Sequence, residues 1–145
     1  MKIVTDKPGQ PPIVWQWLHR KVKMPWSSDL RVVAAMREDG SIAGAVGYNG
    51  WQTDSCFMHV AFDSPHSFTR DLLRASFYYP FIQSGKEAVY ALIDKGNDEC
   101  LRLVGKLGYR EVYRTVDCVM FEMKAGECRW IKEKEYGQGI STAAA

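Results

Sequence analysis

The chain has no Cys-x-x-Cys pair, no long apolar run and no marked excess of either charge. Each absence removes a class of function. Cys56, Cys100, Cys118 and Cys128 are scattered, and although Cys56 and His59 stand close in sequence, no second pair completes a zinc site. No metal is expected. The four cysteines sit in apolar or strand-like contexts and read as small buried side chains of a protein in the reducing cytoplasm. No neighbouring group would lower a thiol pKa, which argues against a cysteine nucleophile. Lys and Arg number 19 against 17 Asp and Glu, a net charge of +2 that creates no field for nucleic acid. Arg20, Lys21 and Lys23 form a short cluster that reads as a solvated helix end. No segment approaches the roughly 20 apolar residues a membrane helix needs, and no signal peptide is expected, because Met1–Val4 already looks like a strand. Internal repeats and low-complexity blocks are also missing.

What remains is a chain of 145 residues, 46% of them apolar, the size of one domain with one core. That domain is expected over residues 1–133, followed by a flexible polar tail over 134–145. Lys2–Thr5 reads as a strand and Ile13–Val22 as a helix with Pro12 near its first turn. Arg31–Arg37 and Ile42–Tyr48 form a hairpin around Asp39-Gly40. Asn49-Gly50 is a further turn signal. Ser55–Asp63 alternates less cleanly, as a central strand does. Phe68–Ser84 has helical spacing, with Pro80 expected to kink or shorten it because the bond to Ser76 is lost. Ala88–Lys95 is the next strand, and Arg110–Val116 and Cys118–Met123 close the chain. The order β-α-β-β-β-α-β-α-β-β implies an α/β sheet of mixed direction.

The segment between Asn97 and Tyr109, NDECLRLVGKLGY, carries the most information. Asn97 is placed to cap a helix whose first turn holds Asp98 and Glu99, where negative charge is favoured. Cys100, Leu103, Val104 and Leu107 form one apolar stripe. Lys106 suits the last turn, and Gly108 is placed to stop the helix in a left-handed conformation. Strand, Asn-capped helix, Leu-Gly-aromatic turn and strand together resemble the C-terminal half of GNAT-type N-acyltransferases. The resemblance covers about residues 30 to 124 well and the N-terminus loosely, with the first helical region shortened. It implies a mixed, mostly antiparallel central sheet flanked by helices. It also implies transfer of an acetyl group from acetyl-CoA to a primary amine of a small molecule or protein, with a GNAT-like binding or adaptor module as the alternative. A homodimer paired through the C-terminal strands is compatible with it.

Acyl transfer from a thioester requires the phosphates to be held, the carbonyl polarised, the amine deprotonated and the thiolate accommodated. By the resemblance, pyrophosphate would meet the loop Ser64–Thr69 at a helix start. The family's two glycines are replaced there by Ser67 and Thr69, whose hydroxyls can donate to phosphate. Phe68 and Arg70 complete the expected cofactor contacts, and Arg70 can pair with phosphate. This Ser-Phe-Thr-Arg start is similar to that of a GNAT branch that includes phage-encoded members. Ser67 can equally serve only as a helix cap. Carbonyl polarisation is expected from a backbone N–H at a bulge late in the fourth strand, among Val60, Ala61 and Phe62. Asn97 would lie beside the thioester. Period-two alternation puts His59, Ala61 and Asp63 on one face. His59 is the candidate base, with Asp54 a weaker one. His66 beside Asp63 and Ser67 superficially suggests a hydrolase triad, but no nucleophile-elbow motif surrounds them. The Tyr that family members often carry seven residues after the Asn is Val104 here, which cannot donate a proton. Trp15, Trp17, Trp26 and Trp51 fall on the acceptor side, where exposed Trp would suit a peptide or aromatic amine, but most of them are expected to pack the N-terminal helix onto the sheet.

Overall fold

A computed structural model describes residues 1–131. The anticipated tail over 134–145 lies outside the described residues. Strands β1 (Lys2–Val4), β2 (Arg31–Met36), β3 (Ile42–Asn49), β4 (Ser55–Phe62), β5 (Ala88–Asp94), β6 (Arg110–Arg114) and β7 (Cys118–Lys124) form one seven-stranded sheet in the order β1-β2-β3-β4-β5-β7-β6. Every pairing is antiparallel except β4–β5. The expected mixed, mostly antiparallel sheet flanked by helices is therefore the observed one.

Helix α1 (Ile13–Val22) covers one face. Val14 and Leu18, with Met24 just beyond the helix, bury against Val32, Ala34, Ala45 and Ala61. The approach is close at Gly47, where a Cβ would stand 2.5 Å from Met24 Sδ and 2.6 Å from Leu18 Cδ2. The start of α1 is capped from a distance. Asp6 accepts from Val14 N and Trp15 N, both at 2.9 Å, and so satisfies two first-turn N–H groups that Pro12 cannot serve. Trp15 donates to Met24 O at 2.9 Å, fixing the loop after α1. Trp26 is 61% exposed at its edge. Trp51 is not among those that pack α1; it packs with Tyr48 and Tyr79 on the opposite face.

Helices α2 (Arg70–Tyr78) and α3 (Asp98–Leu107) cover that opposite face. Leu72, Phe77, Val104 and Leu107 bury there against Val46, Tyr48, Met58 and Val89. Helix α2 is shorter than its periodicity suggests. The α-helix ends at Tyr78, and Tyr79–Gln83 continue as a π-helical turn. Pro80 is the cause, since it has no N–H to give Ser76. The Tyr48 hydroxyl takes that place, donating to Ser76 O at 2.6 Å in the buried core.

Candidate active site

The site begins where two strands stop pairing. Strands β4 and β5 run parallel, and their register covers only Ser55/Ala88, Cys56/Val89 and Phe57/Tyr90. Beyond Phe57 they diverge, and α3 returns across the gap. The cleft so formed encloses about 260 Å³, lined by Met58, His59, Val60, Asn97, Val104 and Tyr109 among others. A shallower space of about 190 Å³ adjoins it and shares Lys21, Val22, Val60, Asn97, Cys100 and Leu103.

The backbone of β4 is oriented by its other neighbour. Asp63 N donates to Ala43 O at 3.0 Å, and the β3–β4 register runs unshifted from Gly44/Phe62 to Asn49/Phe57. Bonded and unbonded pairs alternate along such a ladder. His59 and Ala61 therefore turn their N–H and C=O groups toward β3. Met58, Val60 and Phe62 turn theirs toward β5. The contact of Asp54 O with Ala88 N, at 3.1 Å, has the same parity. The last parallel rung occupies Met58 N–H with Tyr90 C=O. Val60 and Phe62 are then the β4 residues whose N–H groups face the open gap.

Two expectations change here. The register of β4 against β3 contains no bulge, so the donors come from the divergence of β4 and β5. Of the three residues singled out, Val60 and Phe62 present an N–H to the cleft, whereas the N–H of Ala61 is committed to the β3 ladder.

The side chain of His59 lies on the α1 face of β4, alternating with Ala61. Its Nε2 is 3.0 Å from Asn49 Oδ1, on the diagonal neighbour in β3. Burial pushes its pKa below the ordinary histidine value. The imidazole is thus held neutral, with Nδ1 free of that contact. Asn49, read from sequence only as a turn signal, is the last residue of β3 and orients the ring. Asp54, the weaker base candidate, lies at the far end of β4 in a separate depression with Glu87 and Glu122.

Asn97 caps α3 as its position suggested. Its Oδ1 accepts from Cys100 N at 3.1 Å, and Gly108 ends the helix at φ 103°. With that oxygen committed, Asn97 offers the cleft its NH₂ group. Val104 lies on the cleft wall as an apolar residue. The buried Cys56 and Cys128 thiols are pushed up to about 12 and about 11 by burial, and burial also raises Cys100. None is an activated nucleophile. Among the described residues, no group of three His, Cys, Asp or Glu side chains is placed to hold a metal.

The loop between β4 and α2 differs from expectation. Thr69, not Ser67, caps α2, with Oγ1 accepting from Leu72 N at 3.3 Å. Ser67 is buried in a short 3-10 turn, and its hydroxyl donates to Asp63 at 2.5 Å. Asp63 also accepts from Arg37 at 2.7 Å, and these two partners, Ser67 first, hold its carboxyl below the usual range. Ser67 therefore has no proton to give a phosphate, and the superficial triad has no histidine on its serine. Ser67, Phe68, Thr69 and Arg70 line neither part of the cleft. Thr69 and the exposed Arg70 remain available at the head of α2.

No family model and no curated protein sequence matches this chain. Solved structures do. N-acetyltransferase PseH of Campylobacter jejuni, in complex with acetyl coenzyme A, superposes with a TM-score of 0.59 at 16% identity, over 76% of this chain and 74% of that one. A chimera of spermidine N-acetyltransferase SpeG of Vibrio cholerae with hSSAT reaches 0.69 at 12% identity, over 86% and 96%. A dodecameric structure of the Vibrio cholerae spermidine N-acetyltransferase gives 0.68 at 11% identity, over 85% and 92%. This chain has the GNAT fold. Among the described residues, no helix is long and apolar enough to cross a membrane.

Proposed function

We propose that this protein is an N-acyltransferase that moves an acetyl group from acetyl-CoA to a primary amine by direct attack in a ternary complex. The observation that carries the reading is the pair of β4 N–H groups, at Val60 and Phe62, facing an open gap with His59 beside it. A thioester carbonyl on Val60 N–H gains a fixed donor for the charge its oxygen gathers. Phe62 N–H and the Asn97 NH₂ group then serve the amide carbonyls of the pantetheine arm. At the phosphate end, Thr69 has a hydroxyl and Arg70 a guanidinium to offer, and these two take over the contacts the resemblance implies for the whole loop.

The acceptor approaches from the α1 face. Its nitrogen attacks the carbonyl carbon, and the proton it loses goes to His59 Nδ1. The C–S bond then breaks and its electron pair leaves with sulfur. His59 is suited to this because burial keeps it neutral and Asn49 fixes the ring.

A binding or adaptor role is the second reading. It is favoured by the Asp63 carboxylate beside the phosphate loop and by Val104 on the cleft wall. One experiment separates the two. Thermal shift with acetyl-CoA, against free CoA and ATP, is followed by a thiol-release assay over polyamines, amino sugars and lysine peptides. A shift with turnover on one amine class, lost in His59→Ala, supports the enzyme. A shift without turnover across the panel supports the binding module.

A further inference from the structure

Helix α1 covers only part of its face of the sheet. It packs over β2, β3 and β4 and leaves the same face of the outer strands open. Val89 and Ala91 of β5 bury toward α2 and α3, so Tyr90, Leu92 and Asp94 point to the α1 face. Phe57 pairs with Tyr90 in the last parallel rung, their ring centroids 5.9 Å apart. On the other side Leu92 pairs with Met120, and Met120 with Tyr113. Leu92 is 50% exposed and Tyr113 62%. These side chains make an apolar, largely aromatic floor that runs into the cleft. Carried across the gap, the parallel register sets His59 level with Leu92 and Ala61 level with Asp94. His59, Leu92 and Asp94 all line the cleft.

Charge narrows what this floor can hold. The charged side chains lining the larger part of the cleft are Lys21 and Asp94. Lys21 lies over the Trp17 ring at 5.3 Å, and among the described residues no carboxylate pairs with it. Glu122, further along the floor, already accepts from Tyr90 Oη at 2.8 Å and from Arg110 at 2.9 Å. Asp94 can therefore receive one ammonium, and the unpaired lysine repels a second.

We propose that the acceptor is a monoamine on an aromatic body, an arylalkylamine, held by Leu92 and the Phe57–Tyr90 pair with its nitrogen at His59. The assignment rests on the acyl-CoA reading above. His59 and Phe57 are two residues apart, about 7 Å along β4, so an amine on a short aliphatic arm reaches His59 while its ring lies on Phe57 and Tyr90. Aromatic rings favour tilted and offset contacts, the arrangement this pair already presents. Asp94 meets the incoming ammonium, which sheds one proton to water. The neutral nitrogen then forms the amide bond as the C–S bond breaks, its second proton going to His59 and the electron pair leaving on sulfur. An amino sugar would lay its hydroxyls on rings that offer no partner, and a polyamine would bring a second cation to Lys21.

The test adds 2-phenylethylamine to spermidine and glucosamine in the thiol-release assay, with acetyl-CoA binding followed by thermal shift in every protein. The aromatic amine should have the highest kcat/KM, by about tenfold, the worth of burying part of a ring. Leu92→Lys, at a half-exposed position, should raise its KM about tenfold and leave acetyl-CoA binding unchanged. Lys21→Glu should shift preference toward spermidine, which loss of folding could not do. A wild type that binds acetyl-CoA but prefers spermidine or glucosamine would overturn the assignment and leave the acyl-CoA reading intact. So would a wild-type dimer that Leu92→Lys dissociates with the KM for 2-phenylethylamine unchanged, which gives the floor to a second copy. Failure to bind acetyl-CoA, or binding with none of the amines acetylated, would overturn both.

Discussion

His59 Nε2 stands 3.0 Å from Asn49 Oδ1 across the β3–β4 pair, in a site that disfavours the charged ring. With the amide oxygen as acceptor, Nε2 carries the proton and Nδ1 is the basic nitrogen. Acyl transfer should therefore be flat through neutral pH and decline only in acid, below the ordinary histidine value of about 6.5. His59→Ala should lower kcat by roughly 10²- to 10⁴-fold, the usual contribution of a general base. Asn49→Ala should cost less and leave the KM for acetyl-CoA unchanged. A pH–rate profile on the three proteins checks this, and an acid limb that survives in His59→Ala would assign it elsewhere.

The same burial has a consequence for stability. The folded histidine has the lower pKa, so the unfolded chain takes up the proton first as pH falls below about 6.5. Stability should decrease from there down to the native pKa and then level off. The slope cannot exceed about 1.4 kcal/mol per pH unit for one proton. His59→Gln should flatten this part of the curve in urea unfolding between neutral and mildly acidic pH. An equal slope in both proteins would contradict a buried neutral histidine.

Tyr48 and Pro80 form a compensating pair. Proline leaves Ser76 O without its helical donor, and the Tyr48 hydroxyl supplies one at 2.6 Å. Tyr48→Phe should cost about 1–3 kcal/mol, the range for a buried acceptor left unsatisfied. In a Pro80→Ala background, where an N–H returns, the same change should cost less. Denaturant midpoints for the four proteins give the coupling, and strict additivity would refute it.

Asn97 serves two purposes that substitution can separate. Asn97→Ala should lose the cap, about 1 kcal/mol of stability. Asn97→Asp keeps a capping oxygen and suits the positive end of α3, so its Tm should stay near wild type. It lacks the NH₂ donor, however, and should bind acetyl-CoA about tenfold more weakly. Wild-type affinity in Asn97→Asp would remove Asn97 from the cofactor contacts.

Helix α3 was legible in the sequence because its signals are local. Asn97, the apolar stripe and Gly108 lie within one turn of what they control. The order of elements along the chain followed from alternation and turn residues, and the central place of β4 from its less clean alternation; the order of strands in the sheet did not. Features made by partners distant in sequence were hidden. Asp6 caps α1 across a loop, and Asn49 orients His59 from another strand. Thr69 rather than Ser67 caps α2 because Asp63, held by Arg37, takes the serine hydroxyl. The direction of each β4 N–H depends on the register with β3, which no single strand encodes.

The proposed site rests on one seam of backbone donors, and amide hydrogen exchange reads it residue by residue. In the free protein, Val60 and Phe62 should exchange much faster than His59 and Ala61, whose N–H groups are bonded to β3. Saturating acetyl-CoA should protect Val60 and leave Ala61 unchanged. Equal protection of all four amides in the free protein, or no change at Val60 on adding acetyl-CoA, would contradict it.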